Sequence, residues 1–131
     1  MQSGAFEPQE TALIRKLLDG AEVFVDVGAN IGFYTCLARA LGKYTLAVEP
    51  LPQNLAYLYA NPEANGWTDV EICPCGLAKL PGLATLYGGS TGASLVKGWA
   101  GASPLLRQLV PLSTLDIVLG QRFNGPQLLI T

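Results

Sequence analysis

Val23-Phe24-Val25-Asp26-Val27-Gly28-Ala29-Asn30-Ile31-Gly32 is the stretch whose reading decides the fold. An apolar run carrying a single acid breaks at glycine, and the stretch 33–41 behind it reads as a helix closed by Gly42. A buried strand that turns through glycines into a helix is the opening unit of an open α/β sheet. Glycines let the backbone approach a ligand closely, and a new helix presents unpaired N–H groups and a positive dipole end. The segment is therefore expected to hold a nucleotide-like cofactor.

Spacing narrows the cofactor. The dinucleotide fingerprint needs glycine at the first, third and sixth loop places, which here hold Gly28, Asn30 and Phe33. A phosphate loop needs Gly-Lys-Ser/Thr, and Gly42-Lys43-Tyr44 does not supply it. The remaining pattern is Asp-x-Gly-x-Asn-x-Gly. Phe33 directly behind it obstructs a pyrophosphate but not a cofactor that lacks one.

Tyr44-Thr45-Leu46-Ala47-Val48-Glu49-Pro50 is a second apolar strand ending in a carboxylate. An acid about 20 residues past the first glycine sits beside the cofactor ribose in open α/β sheets. Pro50 and Pro52 stop the strand and open a helix over 52–60, ending at Asn61-Pro62.

The remaining elements alternate in the same way. Residues 11–18 read as a helix with Leu13, Ile14, Leu17 and Leu18 on one face, opposite Glu10, Arg15 and Lys16. Residues 69–73 form a third strand, 82–87 an added strand or hairpin leg, 88–92 a flexible loop and 109–112 a short extended piece. Ser113 and Asp116 resemble a capping box for a helix to Leu119, closed by Gly120, and 127–131 is a last apolar strand. Strands alternating with helices predict a Rossmann-like α/β domain with a mostly parallel sheet and right-handed crossovers.

Composition fits one domain of that kind. The 131 residues are 50% hydrophobic and 14% charged, enough apolar material for a core and too little charge for disorder. A net charge of −2 and no basic stripe argue against nucleic acid. Charges scattered through residues 1–20 exclude a secretory signal, and the uncharged run 80–96 is too rich in Gly, Ser, Thr and Pro for a membrane helix, so a cytoplasmic protein is expected. Cys73-Pro74-Cys75 is too closely spaced for zinc, and the chain has no histidine, so no metal is expected. Cys36 reads as a small core residue.

The residues 24–35 together with Val48-Glu49-Pro50 resemble the FkbM-type methyltransferases, class I enzymes that use S-adenosylmethionine (SAM). Gly4-Ala5-Phe6-Glu7-Pro8, Gly92-Ala93-Ser94-Leu95 and Val110-Pro111-Leu112-Ser113-Thr114-Leu115-Asp116 resemble further family segments in the right order. Two departures stand out. Lys79 replaces an acid expected after the third strand, and Leu128-Leu129-Ile130-Thr131 ends the sequence where the family continues into an Asp-Val-Glu-Gly motif. The resemblance thus implies the cofactor-binding portion of a domain whose C-terminal strands are missing.

It also implies roles. Asp26 and the loop of Gly28, Ala29, Asn30 and Gly32 are expected to hold the methionine end and offset the cofactor's positive charges. Glu49 is expected on the ribose, Cys75 and Gly76 at the adenine, and Tyr34 and Thr35 as further contacts. Asn30 is equally readable as a turn residue in a left-handed conformation. Glu7 reads more readily as an exposed acid than as an amine contact, and Trp67 and Trp99 as packing than as an acceptor pocket. No general base is legible. The expected activity is O-methylation of a small molecule or sugar; the alternatives are an inactive SAM-binding short form and an NAD-binding Rossmann module. Because 127–131 reads as a normally central strand, its edge is expected to be open, favouring self-association.

Overall fold

In a computed structural model of the chain, the described residues are 8–87 and 107–131. Their order is α1 (Pro8–Asp19), β1 (Val23–Val27), α2 (Phe33–Ala40), β2 (Tyr44–Val48), α3 (Pro52–Ala64), β3 (Glu71–Cys73), β4 (Gly76–Leu77), β5 (Gly82–Tyr87), β6 (Arg107–Ser113), α4 (Leu115–Leu119) and β7 (Leu128–Ile130). Four strands form a parallel sheet in the order β3-β2-β1-β7. The expected α/β, mostly parallel architecture is the observed one. The loop 88–92, the segment Gly92-Ala93-Ser94-Leu95, Trp99 and residues 1–7 fall outside the described residues.

Strand parity builds the layers. Phe24 packs with Ile14 and Leu18 of α1 and Ala38 of α2, while Val23 and Val25 pack with Leu46, Val118 and Leu119. Ala47 packs against Leu55 and Leu58 of α3. Successive strand residues face opposite ways, so α1, α2 and α3 cover one face and α4 the other. The near-continuous apolar runs of β1 and β2 follow from burial on both faces. Among the described residues, no helix is long and apolar enough to cross a membrane.

A second sheet, not foreseen as such, has the order β4-β6-β5. The strand 82–87 is the antiparallel partner of β6, with Ala84 opposite Val110. At the other end of the parallel sheet, Arg122 donates two hydrogen bonds to Glu71 at 2.7 and 2.9 Å, and the Tyr44 hydroxyl donates a third at 2.7 Å. These contacts tie the turn after α4 to the starts of β2 and β3.

Several boundaries differ from the sequence expectation. The helix expected to end at Asn61-Pro62 continues to Ala64 with Pro62 buried inside it. Proline there removes a single backbone donor in the last turns, and the Pro62 carbonyl still accepts the Asn65 and Trp67 N–H groups. The cap of α4 is Thr114, whose Oγ1 accepts the Ile117 N–H at 3.1 Å, while Ser113 ends β6 and its carbonyl accepts from Ala78. The face of α1 is also turned from expectation. Ile14 and Leu18 are buried, whereas Leu13 and Leu17 are 55% and 46% exposed. Glu10, one turn before Ile14, is exposed but lies on the same face of the helix instead of opposing it.

Candidate functional site

The loop after β1 has the shape its glycines permit. Gly28, Asn30 and Gly32 all have positive φ, at 71°, 55° and 97°. The two glycines serve different needs. A Cβ on Gly28 would meet nothing within 4 Å, whereas one on Gly32 would stand 2.8 Å from Leu58 Cδ1. Gly28 is thus needed for conformation alone, and Gly32 also for the close approach of α2 to α3.

The loop's N–H groups point inward. Gly28 and Ala29 both donate to the Val48 carbonyl, at 2.8 and 3.1 Å, and Gly32 donates to the Ala29 carbonyl. The Asn30 N–H donates to Glu49 Oε1 at 2.8 Å. Three of these four donors hold the loop to the end of β2. Those four donors are not free for a phosphate group.

Asp26 and Glu49 end adjacent strands on the face covered by α2 and α3, and each sits at the start of the next helix. Asp26 is 5% exposed and its Oδ2 accepts the Thr35 hydroxyl at 2.7 Å. The Thr35 backbone N–H also points to it, and Thr131 Oγ1 lies 3.5 Å from Oδ1. Burial pushes the Asp26 carboxyl up to about 6; the hydrogen bonds from Thr35 and Thr131 oppose the rise, and the Glu49 charge adds to it. Glu49, 2% exposed, accepts from Asn30 on Oε1 and from the Leu51 N–H (3.0 Å) and the Asn54 amide (3.3 Å) on Oε2.

A cleft of about 250 Å³ opens above this loop at the end of β1. Among the expected site residues it brings together Asp26, Gly28, Ala29, Asn30 and Tyr34. Thr35 and Glu49 are buried behind these residues, and Gly32 is packed on Leu58. Cys75 and Gly76 do not line this cleft; Gly76 pairs with Leu112 in the second sheet, where a Cβ would press on that side chain at 3.0 Å. Trp67 lines a separate groove with Tyr59 and Ile72. Among the described residues, no group of three or more Cys, Asp or Glu is placed to hold a metal.

Glu10 and Ile14 of α1, Phe33 and Thr131 also line the cleft, and sequence reasoning missed them. The signal for Glu10 was its spacing of four from Ile14, which puts it on the same helix face, at the cleft rim. The cleft's described lining includes two carboxylates, Asp26 and Glu10, and no lysine or arginine. Its chemistry suits a cation and disfavours an anion.

No protein-family model and no curated protein sequence matches the chain. Its fold is similar to that in the crystal structure of methyltransferase FkbM from Methylobacillus flagellatus KT, with a TM-score of 0.50 and 19% identity. The likeness covers 76% of this chain and 23% of that one, so the chain spans about a quarter of its neighbour's length. At this identity the comparison establishes a methyltransferase-like α/β fold.

Proposed function

We propose that this chain is the SAM-binding portion of a methyltransferase that acts on a hydroxyl of a small molecule or sugar, and that its residues form one cytoplasmic domain. The observation that carries the reading is the cleft: it is lined by acids, it lacks basic residues, and its loop donors are turned inward. A dinucleotide brings two phosphates to such a loop, and SAM brings a sulfonium and an ammonium. Asp26 and Glu10 offset that positive charge, and Gly28, Ala29 and Asn30 border the methionine end. Glu49 is buried behind the loop and outside the cleft lining; its Oε1 holds the Asn30 N–H, and we assign the second lone pair of that oxygen to a ribose hydroxyl. The three cysteines are free, as a reducing compartment favours.

The cofactor supplies the electrophilic methyl group, so the protein's task is to hold donor and acceptor together. Asp26 is already bonded to Thr35 and is not assigned as a base. Calorimetric titration tests the reading. SAM is expected to release heat and raise the melting temperature, while NAD does neither. Binding of NAD in place of SAM, or no response to millimolar SAM, rejects it. Methyl transfer is then to be sought with the longest available form of the protein, against sugars and small hydroxylated acceptors.

A further inference from the structure

We infer that Asn54, which lies outside the cleft lining, is a positioning residue of this site and acts through Glu49; the inference rests on the SAM reading above. Asn54 stands in the first turn of α3 and is only 2% exposed. Asparagine is a poor helix former, and burying its amide is costly without a partner. Its backbone N–H donates to the Leu51 carbonyl, and its side-chain Nδ2 donates to Glu49 Oε2 at 3.3 Å. That oxygen also accepts the Leu51 N–H at 3.0 Å.

The consequence follows from counting lone pairs. A carboxylate oxygen has about two acceptor sites. With Leu51 and Asn54 on it, Oε2 is saturated, and the carboxylate is pinned to the positive end of α3. This helix has no side-chain cap of its own, because Leu51 occupies that position. Oε1 is then held toward the Asn30 N–H at 2.8 Å, with a single acceptor site to spare. Asn30 is the only non-glycine residue with positive φ among the described residues. Asparagine tolerates that conformation by itself, and the bond to Glu49 Oε1 fixes where the Asn30 N–H is held. Asn54 therefore sets the Glu49 carboxylate, Glu49 sets the loop, and the loop shapes the cleft.

A double-mutant cycle with two readouts tests the chain of contacts. Asn54→Ala, Glu49→Gln and the double variant are compared by SAM titration, and by the hydrogen-exchange rate of the Asn30 amide without ligand. Asn54→Ala is expected to weaken SAM about tenfold and to speed Asn30 exchange by a similar factor, the loss of one charge-assisted contact. In the Glu49→Gln background the same change is expected to add less than about twofold, because the residue acts through the carboxylate. Unchanged affinity and unchanged Asn30 exchange, or penalties that simply add in the double variant, overturn the inference. If Asn54→Ala does not fold, Asn54→Ser is measured in its place against the same expectations. If the unsubstituted protein binds no SAM, the cofactor reading fails by itself, and the Asn30 exchange rates still decide whether Asn54 holds the loop.

Discussion

Asp26 is ionised at neutral pH against the cost of its burial. Its native value of about 6 lies above the ordinary 3.8, so between these values the native state holds a proton that the unfolded chain has lost. Stability from this group is therefore present below pH 3.8 and declines as pH rises, reaching its full loss of about 3 kcal/mol above pH 6. Asp26→Asn keeps an acceptor for the Thr35 hydroxyl without the charge. Urea melts are expected to show the variant gaining on the wild type from pH 4 to 6.5 and holding its advantage above that; a constant difference across the range rejects the assignment. Binding has the opposite sign, because a cation prefers the ionised carboxylate. SAM affinity is expected to fall below pH 6 in the wild type and to be flatter in Asp26→Asn.

The two loop glycines make a second contrast at this scale. Gly28→Ala strains the backbone alone and is expected to cost about 1–2 kcal/mol. Gly32→Ala adds a clash with Leu58, whose side chain is buried and has little room to move, for about 1–3 kcal/mol more. Equal melting temperatures for the two variants would contradict this difference.

At the scale of elements, the strands and helices around the first loop were legible because each carries its own local signal. Apolar-rich runs, one carrying Asp26 and the other Thr45, match the 5-residue strands β1 and β2, and the strand 82–87 matches β5. The misjudged details depended on neighbours. Periodicity in α1 offered two adjacent apolar stripes, and the helix alone does not say which one meets a sheet. Phe24 and Leu129 chose Ile14 and Leu18. Leu18→Ala is thus expected to cost about 2–5 kcal/mol, while Leu17→Ala costs well under 1 kcal/mol in chemical denaturation. Similar losses at both positions would mean that the helix is turned as its apolar pattern first suggested. Pro62 teaches the same lesson: proline ends helices on average, but near a C-terminus a packed site outweighs one missing donor.

On the scale of the whole molecule, the described sheet ends on one side at β7, which pairs with β1 and with no other described strand. Leu128 and Ile130 are exposed beside that edge. An edge that no described strand covers, with apolar flanks, is a template for another strand. We therefore expect the 131-residue chain to self-associate, with light scattering giving a mass above 13.8 kDa at high concentration. Thr131 and Gln127 bond to β1, so Leu128 and Ile130 carry the outward-facing donors, and Ile130→Pro, which removes one of them, is expected to lower that mass. A monodisperse monomer at all concentrations counts against the edge as an interface.

By itself, the sequence determined the alternation of strand and helix, the positive-φ loop at 28–32 and the two acids that end β1 and β2. All three rest on short-range physics: apolar periodicity, the conformational freedom of glycine, and the spacing of charges along one chain. Only the tertiary structure decided what those acids do. Parallel pairing of β1 with β2 brings Glu49 against Asn30, although 19 residues separate them. The same packing buries Asp26 under Thr35 and brings Glu10 of α1 to the cleft. The loop's own donors turn to Val48 and Glu49 of the neighbouring strand, acceptors that local sequence does not place there, because a buried backbone donor must be satisfied.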